Sequence, residues 1–411
     1  MIPRLKPTLG MKEIFACLRF ARKDDVIRFE KKFAQLMDQK YAIAFPYGRT
    51  GLILLLEALG LKNKEVICPA YTCVVVPHAI IYSKNTPVFV DCAPGDFNMN
   101  LDQAERVITK NTGAIIATSL FGYPVNLDQL YEIRKKHPHV FVIQDCAHSF
   151  AAKWNERAVH KEGIAALFGL NISKTLTSIF GGMITTDNED IYLKLKTIRD
   201  KKLKRPSRGK SFRRLLYFLA VYFTFYEPLY GLVNRLERLG LLNYFVRYYD
   251  DTKIEMPSDY LEKMCGIEAR VGTANINRYE NIIDKRETAS KYYFERLIDN
   301  PNFRLPPEVE GATYSHFVVQ VSDRYAWLQW ALAHNVQLGW LIEYSIPEMK
   351  AYGGHSPDEY PQAASYARKS INLPVWGGIF NHNRVVNVIL LRQNTLQLAA
   401  RMNGKVTRRS S

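Results

Sequence analysis

Between Tyr41 and Asp187 the chain alternates short apolar runs with segments of helical spacing, and this rhythm constrains the fold more than any other feature. YAIAF, the apolar runs of EVICPAYTC and TPVFVD, GAIIATSL, and Val140 to Ile143 read as strands. Between them stand an apolar run after Gly48-Arg49-Thr50, a short helix starting near Thr72, and the amphipathic LDQLYEIRKKH. A further helix precedes them over residues 26–38, with Val26, Phe29, Phe33 and Leu36-Met37 on one face. Such alternation implies an α/β fold with a largely parallel sheet covered on both faces by helices. At 411 residues the chain exceeds one average domain, so a second, smaller unit is expected.

The chemistry concentrates between Phe141 and Asp187. Asp145 lies at the carboxyl end of its strand, where open α/β sheets place their ligands. Lys174 follows 29 positions later, in a Ser/Thr-rich turn before Gly181-Gly182 and the short strand MITT. A strand-end acid and a solvated lysine account for the pair without any function. The same pair also suits pyridoxal phosphate, which needs a carboxylate on its ring nitrogen and an amine for a Schiff base. Gly48, Arg49 and Thr50 form a turn at a helix N-terminus, which is either an ordinary strand-to-helix connection or a seat for phosphate.

Several ordered motifs carry a resemblance: YAIAFPYGRTGL, EVICPAYTC, TPVFVDCAPGDFNMNLD, LFGYPVNLDQL, IQDCAHSFAA and ISKTLT followed by GGMITTD. With YENIIDKRETASKYYFERL and YPQAASYARKSINLPV downstream, the chain resembles the DegT/DnrJ/EryC1/StrS aminotransferases from about Phe29 to a strand near Val388. The resemblance implies a fold type I enzyme that uses pyridoxal 5'-phosphate in ping-pong transamination. The expected donor is glutamate and the acceptor a keto sugar nucleotide, in surface-polysaccharide or secondary-metabolite biosynthesis. It also implies a homodimer with shared sites. On this reading Lys174 holds the internal aldimine, Asp145 faces the pyridine nitrogen, and His148 lies beside the cofactor. Gly48, Arg49 and Thr50 match the phosphate turn.

Three positions depart from the family pattern. The phosphate-contacting Ser of a Ser-Phe pair is Gly169, followed by Leu170, which leaves Ser173 and Ser178 as replacements. The aromatic that packs on the ring is Cys73, with Tyr71 as its substitute. The Asn-Tyr-Arg-type segment lent by a partner subunit is not evident before Met264. Two other classes therefore stay open: a non-catalytic or regulatory protein on this scaffold, and a sugar dehydratase, whose members carry histidine in place of the lysine. His316, before a later strand, reads as structural.

Residues 199–256 interrupt the pattern, dividing the chain into a cofactor domain over 1–198, an insertion, and a C-terminal α+β domain over 257–411. In the last, 257–297 reads as one or two helices, WLQWALAHNV as a helix, VVNVILLRQNTLQLAARM as a strand and helix, and NGKVTRRSS as a frayed tail. The net charge of +16 is concentrated: Arg199 to Arg214 holds nine Lys/Arg and one acid, half the excess. Leu215 to Tyr226 follows, uncharged and dense in aromatics, yet too short for the ~20 residues that cross a bilayer. A basic run before a short apolar helix suits peripheral membrane contact through 199–250, at the inner face. A helical hairpin packed on the enzyme or at a subunit interface, with the basic run as a solvated loop, suits it equally. Nucleic acid is not expected, because no stacking platform accompanies the charge. Six cysteines without CxxC pairs indicate reduced core thiols and no metal site. With no apolar signal-peptide core in MIPRLKPTLGMKEIF, the expected location is cytoplasmic.

Overall fold

The computed structural model describes residues 1–225, 227–239 and 249–407. Two helices, α1 (Met11–Leu18) and α2 (Asp25–Leu36), precede the first strand, β1 (Tyr41–Phe45). The expected alternation follows: α3 (Gly48–Ala58), β2 (Glu65–Pro69), α4 (Val75–Tyr82), β3 (Thr86–Val90), α5 (Leu101–Arg106), β4 (Thr112–Thr118), α6 (Leu127–Lys136) and β5 (Phe141–Asp145). A small hairpin of β6 (Lys153–Trp154) and β7 (Arg157–Ala158) leads to β8 (Ala165–Gly169) and β9 (Gly182–Thr186). The seven main strands form one sheet in the order β1-β9-β8-β5-β4-β2-β3. β9 runs antiparallel to both β1 and β8, and the remaining neighbours pair in parallel. Apolar side chains from both sheet faces enter separate cores, one under α2 and α6 and the other under α3 and α4. That double coverage is what a buried parallel sheet requires.

Two local expectations shift. Gly48, Arg49 and Thr50 are not a turn before a helix but the first turn of α3 itself. The helix placed near Thr72 begins at Val75, with Pro77 in its first turn, where a missing N–H breaks no helical bond.

The insertion is helical where described. α7 (Glu189–Lys202) leads to α8 (Arg208–Thr224) and α9 (Glu227–Arg238). The Ser207 side chain caps α8 by accepting the Lys210 N–H at 3.0 Å. Phe218 and Val221 are buried, and Phe218 packs with Ile179, Cys265 and Val271 against the enzyme body. The basic run is therefore not a uniformly solvated loop. Arg199 pairs with Glu30, Lys202 with Glu57, Lys210 with Asp259, and Arg214 with Asp259 and Glu268. Tyr226 and residues 240–248, within the expected insertion, lie outside the described residues.

Beyond it stand α10 (Gly266–Ile276), α11 (Tyr279–Leu297), β10 (Phe317–Gln320), α12 (Arg324–Ala333), α13 (Pro361–Lys369), β11 (Ser370–Leu373) and α14 (Ile379–Thr407). β10 and β11 pair antiparallel. VVNVILL, expected as a strand, lies inside α14. Among its described side chains, His382, Val385, Val386 and Ile389 are buried, spaced i, i+3, i+4, i+7 as one helical face. The tail's backbone continues this helix to Thr407, and residues 408–411 are outside the described set. The packing does not break at 257, since α10 lies against α1 and α2.

Candidate active site

The site forms where β5 and β8 end and α3 begins. Asp145 closes β5, opposite Thr118 of β4 and Leu167 of β8, and is only 4% exposed. Its Oδ1 accepts the Ala147 N–H at 3.0 Å. Burial pushes its carboxyl up, opposed by that N–H, by Lys174 and by the Thr118 hydroxyl. Among the described residues Asp145 makes no ion pair. A buried carboxylate without a cation partner is costly, and a protonated ring nitrogen would supply the missing charge.

Lys174 comes from the loop between β8 and β9, where its N–H closes a turn on the Asn171 carbonyl at 3.0 Å. Its side chain runs over Gly169: a Cβ there would lie 3.2 Å from Lys174 Cε. Dense protein around the amine lowers its pKa, opposed by Cys73 and Asp145, although the side chain keeps some solvent contact. Burial thus moves both members of the pair toward neutrality.

The N-terminus of α3 abuts this point. Gly48 Cα lies close to Gly182, where a Cβ would fall 2.3 Å from Gly48 N; only glycine lets β9 and α3 meet so closely. Tyr47 offers no side-chain cap, and the first N–H to bond within the helix is that of Gly51, to Tyr47 O at 3.2 Å. The leading N–H groups and the helix dipole are therefore suited to a phosphate. Arg49 adds a guanidinium whose described partner is the Tyr249 hydroxyl, at 3.1 Å. The Thr50 hydroxyl is turned away to the Tyr260 carbonyl at 3.0 Å.

His148 is buried, and its Nδ1 accepts the Phe121 N–H at 3.4 Å, which leaves Nε2 as the protonated nitrogen. Its ring lies parallel to Phe121 and 5.3 Å from His316. Burial, then Lys174, His316 and Arg286, drive its pKa well down. His316 is shifted the same way, by burial, Arg286 and Lys174, so both imidazoles are neutral. Arg286 donates to the Ser315 carbonyl, and burial lowers it to about 10.

Not every expected residue reaches the site. Tyr71 is a core residue: its hydroxyl donates to Ile342 O at 3.2 Å, and its ring packs against Phe121 and Tyr366. The Ser173 hydroxyl bonds Asn171 Oδ1 at 2.6 Å, and Ser178 is buried with its hydroxyl on Phe180 O at 2.6 Å. Neither is aimed at the position that Gly169 leaves without a hydroxyl. Three residues outside the expected set lie beside the site: His316, read as structural, and two tyrosines. The Tyr344 hydroxyl accepts the Val74 N–H at 3.1 Å, and both it and the Tyr249 hydroxyl adjoin the Cys73 thiol. Their only sequence signal was an aromatic missing at 73.

Residues 12–390 match the model of the DegT/DnrJ/EryC1/StrS aminotransferase family. A GDP-perosamine synthase from Escherichia coli O157:H7 is 26% identical over 393 residues, covering 92% of this chain and 94% of that protein. An uncharacterized protein of Methanocaldococcus jannaschii is 32% identical over 205 residues, 48% of this chain and 53% of that one. The PLP form of Streptococcus pneumoniae Spr1654 superposes with a TM-score of 0.76 at 17% identity, covering 96% of this chain and 99% of that one. Pyridoxal phosphate is the cofactor of the family, and the unpaired Asp145, the nearby Lys174 and the uncapped α3 fit it.

Proposed function

We propose, for a chain that belongs to the DegT/DnrJ/EryC1/StrS aminotransferase family, transfer of an amino group from glutamate to the keto carbon of a nucleotide-linked sugar. One observation carries the site assignment: a buried, ion-pair-free carboxylate at the end of β5 beside a lysine laid across Gly169. The acceptor class is supported by the similarity to a GDP-perosamine synthase.

Pyridoxal phosphate, when bound, supplies an electron-withdrawing ring that stabilises negative charge at the donor's Cα. Lys174 anchors it and, once free, moves the Cα proton; its lowered pKa favours the neutral amine that a base requires. Asp145 holds the proton of the ring nitrogen, which restores its own charged form. The N–H groups of Gly48, Arg49 and Thr50, with the Arg49 guanidinium, hold the phosphate. Neutral His148, its Nδ1 taken by the Phe121 N–H, keeps Nε2–H as a hydrogen-bond donor.

The finer setting is a homodimer in the cytoplasm, at the inner face of a membrane. Six free cysteines suit a reducing compartment, and the basic outer surface of α8 suits the membrane face. A dehydratase is disfavoured, because the resemblance puts histidine in those members where this chain has Lys174. A non-catalytic scaffold is favoured by the missing hydroxyl at Gly169 and by the partner-lent segment not evident before Met264. The visible spectrum decides. The purified protein should carry a cofactor band that shifts on adding glutamate, and Lys174→Ala should lose the covalently held form. A colourless protein that takes up no cofactor would sink the enzymatic reading. Assay against a panel of keto-sugar nucleotides then names the acceptor.

A further inference from the structure

Helix α8 has a second face. Opposite the buried Phe218 and Val221, Phe212, Leu216 and Phe223 point outward, and Phe212 and Phe223 are each 59% exposed. With the exposed Ala220 they recur at i, i+4, i+8 and i+11, a continuous stripe. On α9, bent by 113° from α8, Leu229 and Leu232 are exposed as well. On the neighbouring α1, Met11, Phe15 and Leu18 are exposed at i, i+4, i+7, and Phe20 beyond them is 93% exposed. The two helices are adjacent, since both pack on α10 and the Tyr222 hydroxyl lies 3.8 Å from Met11 Sδ. So large a grouping of exposed apolar side chains marks an interaction surface.

The charge around it identifies the occupant. Lys201, Lys204, Arg205, Arg208 and Arg213 are exposed and make no ion pair with a described residue. Lys12, Arg22 and Lys23 add exposed cations along α1 and just beyond it. From Arg208 to Phe225 there is no acid, and the one acid of α1, Glu13, is buried. A two-fold interface must be complementary to itself, and a patch with cations but no exposed acid on α1 or from Arg208 to Phe225 is not. An anionic surface with an apolar interior has the complementary character. Among the described residues no single helix is long and apolar enough to cross a bilayer. α8 and Leu229–Leu236 reach that apolarity only as a pair bent by 113°.

We propose that the outer face of α8, with α9 and α1, docks the enzyme on an anionic phospholipid surface. The inference rests on this surface and is independent of the transamination reading. Its inward face sets the orientation, because Arg214 bonds Tyr47, the residue preceding the first turn of α3, at 2.8 Å. Docking thus holds the cofactor end of the enzyme close to the membrane.

Full-length holoenzyme is to be sedimented with vesicles of phosphatidylcholine alone or with phosphatidylglycerol. Binding to the anionic vesicles should exceed binding to the neutral ones at least tenfold. The double variant Arg205→Glu, Arg208→Glu should weaken it by at least about fivefold per cation removed. Leu216→Glu with Phe223→Glu should abolish it. Wild-type circular dichroism and melting temperature in both variants establish that they are folded. Equal binding to both vesicle types, or Leu216→Glu with Phe223→Glu binding as tightly as wild type, overturns the proposal. So does a Leu216→Glu, Phe223→Glu protein that changes from dimer to monomer by light scattering with vesicle binding unmoved, since the occupant is then a second copy.

Discussion

Arg214→Met tests whether the insertion belongs to the frame of the cofactor site. The guanidinium bonds Glu268, Asp259 and the Tyr47 hydroxyl, each at 2.8 Å, and sits 4.1 Å over the Phe180 ring. Glu268 is fully buried and would keep only the Cys265 N–H and thiol and the more distant Lys210. Removing one partner of a buried ion pair costs about 3–5 kcal/mol, because the other charge stays behind. With an unfolding entropy of about 2.1 cal/mol/K per residue, a chain of this length should melt roughly 3–6 °C lower. The deficit should depend on pH. Burial already raises the Glu268 carboxyl against the pull of Arg214 and Lys210, and loss of Arg214 raises it further. A carboxyl whose folded pKa exceeds its unfolded one stabilises the fold at low pH, and that contribution is lost as pH rises through the folded value. The melting deficit should therefore be greatest near pH 8 and shrink as the pH falls and Glu268 takes up a proton. Thermal melts across that range, with exposed Arg213→Met as a control expected within about 0.5 kcal/mol of wild type, make the measurement. Tyr47 would keep only its bond to Asp259, so the variant should also lose cofactor faster on dialysis. A wild-type melt at pH 8, or a deficit that ignores pH, would refute the reasoning.

Gly182→Ala puts a Cβ 2.3 Å from Gly48 N and 2.4 Å from its Cα, a backbone clash that should cost ~3 kcal/mol or more and empty the phosphate seat. Melting and cofactor content report it together. Gly169→Ser restores a hydroxyl beside α3, and its Cβ meets only the flexible Lys174 Cε at 3.2 Å and Ala147 Cβ at 3.4 Å. One added hydrogen bond should slow cofactor loss about fivefold, read from absorbance during dialysis. His148 and His316 are held well below the ordinary histidine pKa, so the unfolded chain takes up protons there first. Each should remove about 1.4 kcal/mol of stability per pH unit as pH falls below about 6.5, and His316→Asn should flatten the acid limb of the melting curve.

What was legible in the sequence was what local pattern determines. Asp145 and Lys174 stood out because one ends an apolar run and the other precedes a glycine pair, and both features survive folding unchanged. His316 was illegible for the opposite reason. It reaches His148 only because the segment before β10 docks on the loop at Leu120 to Gly122, with Thr313 N–H on the Gly122 carbonyl at 3.1 Å. Gly122 has a φ of +96°, and a Cβ there would strike Tyr314 N at 2.7 Å, so a single glycine admits that contact. Tyr71 was misassigned because nearness in sequence to Cys73 says nothing of direction, and its side chain enters the core instead. VVNVILL was misread because a β-branched run fits either period until its neighbours decide.

The insertion shows most clearly why sequence readings compete when the structure does not make them exclusive. Read linearly, its cations were either a patch or a loop, and its aromatics either an internal hairpin or a membrane contact. Folding divides one helix between both. Lys210, Arg214 and Phe218 turn inward, where partners some fifty residues downstream neutralise the two cations. Arg208, Phe212, Arg213, Leu216 and Phe223 turn outward, with no described partner for either arginine. The inner face bonds Tyr47, the residue that precedes α3, whereas the outer face touches nothing at the site. Conservation of the outer stripe is then not required for chemistry in solution, whereas the inner contacts are. Cofactor lost faster on dialysis with Arg214→Met but held as in wild type with Leu216→Glu, Phe223→Glu is the pattern this division demands.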